Sequence, residues 1–271
     1  MTDNLKIAGW IQMWLLAALL FLAAKCLSLR PPCLAARVSP WPRLAGYFFL
    51  WPGLDAASFC APSPVPPPRS REWFWAAAKT GFGAALIWLG ARMAWPRYPA
   101  GVAWIAMAGL VFLLHFGAFH LISLAWRAQG VNAVPIMRSP IASTSLGQFW
   151  GGRWNRAFSD LMQPLVFAPS ARRFGARNAM LLVFLVSGLL HELVISLPAA
   201  AGFGWPAAYF AIQAAGFSLE RSRLGRGLGL GRGPRGWFFT LLVAAGPAYW
   251  LFHPAFVRNV ILPMLQAIGA T

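Results

Sequence analysis

Apolar residues run along this chain in long blocks, at about 7–24, 44–60, 73–94, 100–126, 178–197, 204–219 and 237–264, with short polar gaps between them. A membrane-crossing helix needs about 20 predominantly apolar residues, and most of the blocks qualify. The block "LAGYFFLWPGLDAASFC" (44–60) carries Pro52, Gly53 and Asp55, so it reads as a segment that dips in without crossing. "CAPSPVPPPRS" (60–70) follows as an extended, polyproline-like connector. The last block is long enough to kink at Pro247 or Pro254. The first has Lys6 before it and "LAAKC" after it, exceeds a signal-peptide core and precedes no A-x-A cleavage site, so it reads as a retained first helix. No internal repeat is visible. The pattern predicts an all-α, polytopic transmembrane helical bundle of about six to eight membrane segments, as one domain over 1–271.

Composition points the same way. The chain is 59% hydrophobic and only 11% charged, against about 25% charged residues in soluble domains. The 15 Trp suit an interfacial aromatic belt. The net charge of +17 raises nucleic acid as a partner, but the arginines fall in the gaps between apolar blocks, as they do in cytoplasmic loops. No nucleic-acid partner is therefore expected; membrane lipids are. Lys25, Arg30, Arg37 and Arg43 mark one gap, Arg69 and Arg71 the next, and the gaps at 127–177 and 220–236 hold seven and five arginines. If 44–60 does not cross, all of these fall on one, cytoplasmic, side, and 92–99 and 198–203 face outward. Cys26, Cys33 and Cys60 have no CxxC spacing and read as small packing residues.

The gap at 127–177 is too long to be idle. Within it, Ser145 and Gln148 have the spacing of a capping box. Phe149, Trp150, Trp154, Phe158 and Met162 then recur at helical steps, with Arg153 and Arg156 between them. That predicts an amphipathic helix in the membrane face, ending before Pro164, with Gly151 and Gly152 as weak points, then a turn over Pro164–Pro169 and a return into the membrane.

The strongest chemical signal lies in "SGLLHELVIS" (187–196). In a helix starting near Asn178, His191 sits roughly 20 Å along the axis, well inside a hydrocarbon core of about 30 Å. An ionisable pair at that depth must face protein or a watered cavity. Glu192 points about 100° away from His191, whereas Ser187 shares its face and Gly188 thins the helix beside it. Three roles fit these residues: a buried imidazole bonded to a neighbouring helix, a catalytic base, or a His–Glu proton relay in a transporter or channel. His115, His120 and His253 read as packing or pore-lining residues, and no cluster has metal-ligand spacing. "GRGPRG" (231–236) follows no strand and reads as a basic loop.

"SGLLHELVIS", together with "QFWGGRWNRAF" upstream, resembles the membrane-bound O-acyltransferase superfamily and, within it, the wax synthase branch and its bacterial relatives. "GYFFLWPGLDAASF" and "GPAYWLFHPAFV" resemble that branch too, so the likeness touches about 46–257, with a motif-bearing core at about 140–257. It implies a catalytic pair of His191 and Asn155, 36 residues apart. Trp150, Arg153, Trp154, Ser187 and Glu192 are the substrate-binding positions that go with the pair. The implied reaction moves an acyl group from acyl-CoA, a co-substrate, to an alcohol, with no tightly bound cofactor. A fatty alcohol, a sterol-like or secondary-metabolite hydroxyl and a sugar hydroxyl all remain open as acceptor. The implied residence is a bacterial cytoplasmic membrane. Gln148 and Gly152 depart from residues common in the family.

Overall fold

The computed structural model describes residues 7–29, 41–61, 65–95 and 97–271, and among them all regular structure is helical. In chain order these are α1 (Gly9–Ser28), α2 (Trp41–Leu50), α3 (Ala56–Cys60), α4 (70–94) and α5 (Pro99–Ala128). Then come α6 (146–153) and the long stretch Arg156–Ala199, which divides into α7 (156–174) and α8 (176–199). The remainder is α9 (Trp205–Glu220), α10 (Arg223–Leu228), α11 (Gly233–Leu251) and α12 (Pro254–Ala267).

Among the described residues, three stretches are long and apolar enough to cross a membrane: Gly9–Ser28, Pro99–Ala128 and Arg156–Ala199. A fourth forms if α11 and α12, bent by 57° before Pro254, make one span. By this measure the count falls short of the six to eight expected. Two helices stand outside the count: α4, whose apolar middle is diluted by Lys79, three tryptophans and three glycines, and α9, which is 16 residues long. In α1 only 6% of the apolar window is buried within the molecule, so most of its leucines and tryptophans face outward. Such a surface suits lipid. This is an integral membrane protein of all-α, bundle type.

Two expectations about the middle of the chain need correction. The helix anticipated over 145–163 is two helices, because the chain leaves helical geometry at Trp154 and Asn155. The prolines at 164 and 169 do not turn the chain; wide turns over Gln163–Phe167 accommodate Pro164 and the helix continues. The break comes at Gly175, whose φ of 81° and ψ of 157° suit only glycine. Leu165 and Val166 before it and Val183 and Val186 after it all pack on one apolar cluster, so both limbs face the same core.

Interhelix contacts sort the connections onto two faces. On one, Arg127 bonds Glu72 (2.7 Å), the Trp126 indole donates to the Leu50 carbonyl, and the Glu220 carboxylate accepts from the Leu146 N–H. The Arg127 guanidinium holds the Glu72 carboxyl below the usual carboxylate range. On the other face, Arg92 donates to the Gly269 carbonyl and Asn259 to that of Ala199. Helices α2 and α3, roughly 15 Å and 8 Å long at 1.5 Å per residue, are too short to cross. Lys25, expected as a loop charge, is buried, donates to the Gly53 carbonyl and lies 3.6 Å from the Tyr47 ring centre, tying α1 to the connection between them. Cys26 is exposed, Cys60 buried, and both are free; Cys33, Arg30 and Arg37 lie outside the described residues.

Candidate active site

Helix α8 sets His191 between the two apolar cores, giving Phe184 and Ile195 to one and Val183 and Val186 to the other. The His191 Nδ1–H donates to the Ser187 carbonyl one turn back, at 2.7 Å. A carbonyl can only accept, so the proton of the neutral ring is on Nδ1 and Nε2 keeps its lone pair. The ring rests on Phe210 of α9, 4.6 Å between centroids. Helix α9 comes this close because residue 188 is glycine: a Cβ there would stand 3.2 Å from Ala207 Cα. The Ser187 hydroxyl donates to the Val183 carbonyl (2.9 Å), a bond within its own helix.

Glu192 does something different from its neighbour. Its Oε1 accepts the Gly204 and Ala207 N–H groups, at 2.9 and 3.1 Å, and so caps the start of α9. A helix N-terminus presents unsatisfied N–H groups and a positive dipole end, and a carboxylate satisfies both. Its Oε2 is buried with no partner among the described residues. The adjacent pair is therefore split between two tasks, one on the imidazole and one on the helix that supports it.

Asn155 sits at the corner between α6 and α7 with φ 44° and ψ 63°. Asn is one of the few residues that enter this left-handed region readily. The corner is gripped along its length. Arg138 N–H donates to the Arg153 carbonyl (2.9 Å), Asn155 N–H to Met137 Sδ (3.2 Å) and Arg156 N–H to the Ile136 carbonyl (2.8 Å). Asn155 Oδ1 caps α7 by accepting from the Phe158 N–H at 3.4 Å, and Nδ2 donates to no other described residue. Arg153 directs its guanidinium to the carbonyls of Ser139 and Arg138. Trp154 stacks on Phe149 and meets Phe116 edge-on.

The N-terminus of α6 follows the capping-box spacing with one shift: Ser145 Oγ accepts from the Gln148 N–H, while the Gln148 side chain reaches back to the N–H of Thr144. Trp150 packs its ring against Phe184, Tyr209 and Phe210 and donates its indole N–H to Gln213 Oε1 (3.2 Å). Trp150 and His191 thus share Phe210, whereas no hydrogen bond joins Asn155 to His191. The supporting residues Phe210, Gln213 and Glu220 escaped the sequence reading. Their signal was a Gln and a Glu on one face of the apolar run 204–219 and its end, at steps of three and seven.

The remaining histidines have separate surroundings. His120 lies 3.3 Å from Lys79 Nζ. His253 accepts the Phe256 N–H at Nδ1 and reaches the Ser196 hydroxyl at Nε2, pinning the last turns of α8 to the start of α12. His115 lies beside Phe119, its Nδ1 buried without a partner among the described residues. Of the two histidines whose proton position a bond fixes, His253 has its lone pair taken by the Phe256 N–H, whereas the lone pair on His191 Nε2 meets no donor among the described residues. That arrangement can accept a proton from a hydroxyl.

The segment that carries these residues also resembles known proteins. Residues 133–212 match the Membrane bound O-acyl transferase family. The chain is 30% identical over 173 residues to Acyl-CoA–sterol O-acyltransferase 1 of Arabidopsis thaliana, covering 55% of this chain and 49% of that one. It is 36% identical over 78 residues to the Long-chain-alcohol O-fatty-acyltransferase of Simmondsia chinensis, covering 26% and 22%. It is 32% identical over 143 residues to Probable long-chain-alcohol O-fatty-acyltransferase 2 of Arabidopsis thaliana, covering 48% and 41%. The matched stretch spans half or less of the length of these relatives. The matches bear out the resemblance to the membrane-bound O-acyltransferase superfamily and its wax synthase-like branch.

Proposed function

We propose that the chain transfers a fatty acyl group from acyl-CoA to the hydroxyl of a long-chain alcohol. The observation that carries the reading is the Nδ1–H bond from His191 to the Ser187 carbonyl, which leaves Nε2 free as a base. Nε2 takes the hydroxyl proton as the alcohol oxygen attacks the thioester carbonyl. Asn155 Nδ2 donates a hydrogen bond to the oxyanion that develops. The tetrahedral centre collapses, the C–S bond breaks, and the proton passes from His191 to the departing CoA thiolate, giving ester and free CoA. Ser187 serves by its carbonyl, because its hydroxyl proton is already given to Val183. Trp150, Arg153 and Trp154 line the approach, with acyl-CoA arriving as a co-substrate from the arginine-rich face. One domain, with its motif-bearing core at about 140–257, carries the activity.

A proton relay through His191 and Glu192 is the weaker alternative, because Glu192 is committed to the start of α9. Residence in a bacterial cytoplasmic membrane belongs to the proposal on the family resemblance alone, and the relatives named above, being plant proteins, lend it no support.

The test uses membranes carrying the full chain, labelled palmitoyl-CoA, and hexadecanol, a sterol and a sugar offered in parallel, with ester detected by mass spectrometry. Hexadecyl palmitate should dominate. His191→Ala and His191→Gln should each lower the rate per folded protein by about 10²–10⁴-fold, the usual worth of a positioned proton transfer. Near-normal turnover by His191→Gln, which bonds but cannot take the proton, removes His191 from the base role.

A further inference from the structure

We propose that Gln213 is a positioning residue: its side-chain amide fixes Trp150, and through it the Trp154–Asn155 corner, relative to His191. The kinetic part of this inference rests on the acyl-transfer reading; the geometric part does not.

Gln213 is fully buried in the middle of α9. Burying an amide without partners costs roughly 2–7 kcal/mol, so one placed here must be bonded. It is bonded on both sides. Oε1 accepts the Trp150 indole N–H at 3.2 Å, and Nε2 donates to the Val243 carbonyl of α11 at 2.8 Å. The amide cannot rotate to exchange its oxygen and nitrogen without losing both bonds.

The indole has abundant apolar contact as well, with Phe210 at 5.7 Å, Phe184 at 6.2 Å and Tyr209 at 6.5 Å. Apolar contact is non-directional and lets a flat ring slide or turn. The N–H bond selects one orientation. Gln213 lies one helical turn beyond Phe210, the residue on which His191 rests. One face of α9 thus takes a bearing on the imidazole at 210 and on the indole at 213. A further two turns along it, Glu220 accepts from the Leu146 N–H at 2.6 Å and holds the start of α6. The end of α6 is set from Trp150: Ser159 of α7 donates its hydroxyl to the Trp150 carbonyl (2.8 Å), and Phe149, beside Trp150, stacks on Trp154. His191 and Asn155 sit on segments with no mutual hydrogen bond, and the common reference between them is this face of α9.

If Gln213 only supported the fold, its loss would lower the amount of folded protein and leave the turnover of what folds intact. A positioning role predicts a loss of turnover, because a displacement near 1 Å can slow an oriented reaction about 10²-fold. The experiment uses the full chain in lipid nanodiscs, labelled throughout with 5-fluorotryptophan, with Trp150→Phe identifying the Trp150 fluorine signal. Gln213→Met keeps the volume and removes the amide. It should shift or split the Trp150 signal while most other tryptophan signals hold. With palmitoyl-CoA and hexadecanol, kcat should fall about 10- to 100-fold with KM for palmitoyl-CoA within about twofold. Trp150→Phe, which keeps a ring and loses the N–H, should do the same, and the double variant should be no slower than the slower single one. An unmoved Trp150 signal in Gln213→Met overturns the proposal, as do unchanged kcat or losses that multiply in the double variant. Where Gln213→Met yields no folded protein, Trp150→Phe decides alone, and unchanged kcat in it overturns the proposal. If the wild-type chain makes no ester, the acyl-transfer reading fails and the fluorine signal still decides the role of Gln213.

Discussion

Asn155 carries two loads that ordinary alanine substitution cannot separate. Its backbone is left-handed and its Oδ1 caps α7, so Asn155→Ala removes a cap worth about 1 kcal/mol and adds about 1–2 kcal/mol of backbone strain. Asn155→Gly accepts the same φ freely and loses only a few tenths of a kcal/mol of capping. Asn155→Asp keeps both the backbone preference and the cap. Neither Gly nor Asp carries the Nδ2 donor. Both variants should therefore melt near the wild type while losing about 10²–10³-fold in turnover, the scale of one oxyanion donor. Near-normal turnover by Asn155→Gly would leave Asn155 a cap and nothing more. At this scale the sequence spoke unevenly. The partial burial of His191 was readable from its depth in an apolar run, and Ser187 was correctly placed on its face. Asn155 stood out only through family likeness, because a lone Asn before a helix looks like any cap. Gln213 was silent, since one amide in an apolar block does not announce which indole it meets.

Helix boundaries followed from apolar run length wherever a run ended in polar residues, as at both ends of α5 and at the C-terminal end of α9. They failed where the backbone itself decides. Steps of three and four across 149–162 continue unbroken through Asn155, so periodicity could not see the left-handed residue that splits α6 from α7. The prolines at 164 and 169 looked like a turn, yet a wide turn needs no N–H at Pro164 and the helix bends at Gly175 instead. A Cβ at 175 would meet nothing within 4 Å, so Gly175→Ala tests backbone strain alone. It should lower stability by about 1–3 kcal/mol, read as a lower melting temperature in detergent, with no cavity or clash to blame. Glu192 tests the next level of order, the seating of one helix on another. Glu192→Ala leaves the Gly204 and Ala207 N–H groups without their acceptor and should destabilise by about 1–3 kcal/mol. Glu192→Gln keeps a carbonyl oxygen for both donors and should be milder in both stability and turnover. Equal damage from the two would mean that the negative charge, not the cap, is what the site uses.

For the molecule as a whole, composition fixed the solvent and left the span count open. The arginines then bear on orientation, and the contacts decide which of them act together. Glu72–Arg127, Trp126 on Leu50 and Glu220 on Leu146 draw together the connections around 50–72, 127–156 and 220, which carry Arg69, Arg71, Arg127, Arg138, Arg153, Arg156 and Arg221. Arg92 donates to Gly269 and Asn259 to Ala199, so the connections at 92–99 and 198–203 each meet the C-terminal segment. With α2 and α3 too short to cross, the positive-inside rule predicts that the arginine-rich face is cytoplasmic. Three single cysteines in a background lacking Cys26, Cys33 and Cys60 test this. Ser70→Cys, at the start of α4, and Ala176→Cys, among Arg172, Arg173 and Arg177, should stay unlabelled by a membrane-impermeant maleimide in intact cells and label after permeabilisation. Tyr98→Cys, exposed at the start of α5, should label without permeabilisation. Labelling of Ser70→Cys in intact cells would mean that the chain crosses between α1 and α4 once more or once less than proposed. The arginine-rich approach to Asn155 would then open outward, and a cytoplasmic acyl-CoA could not enter by it.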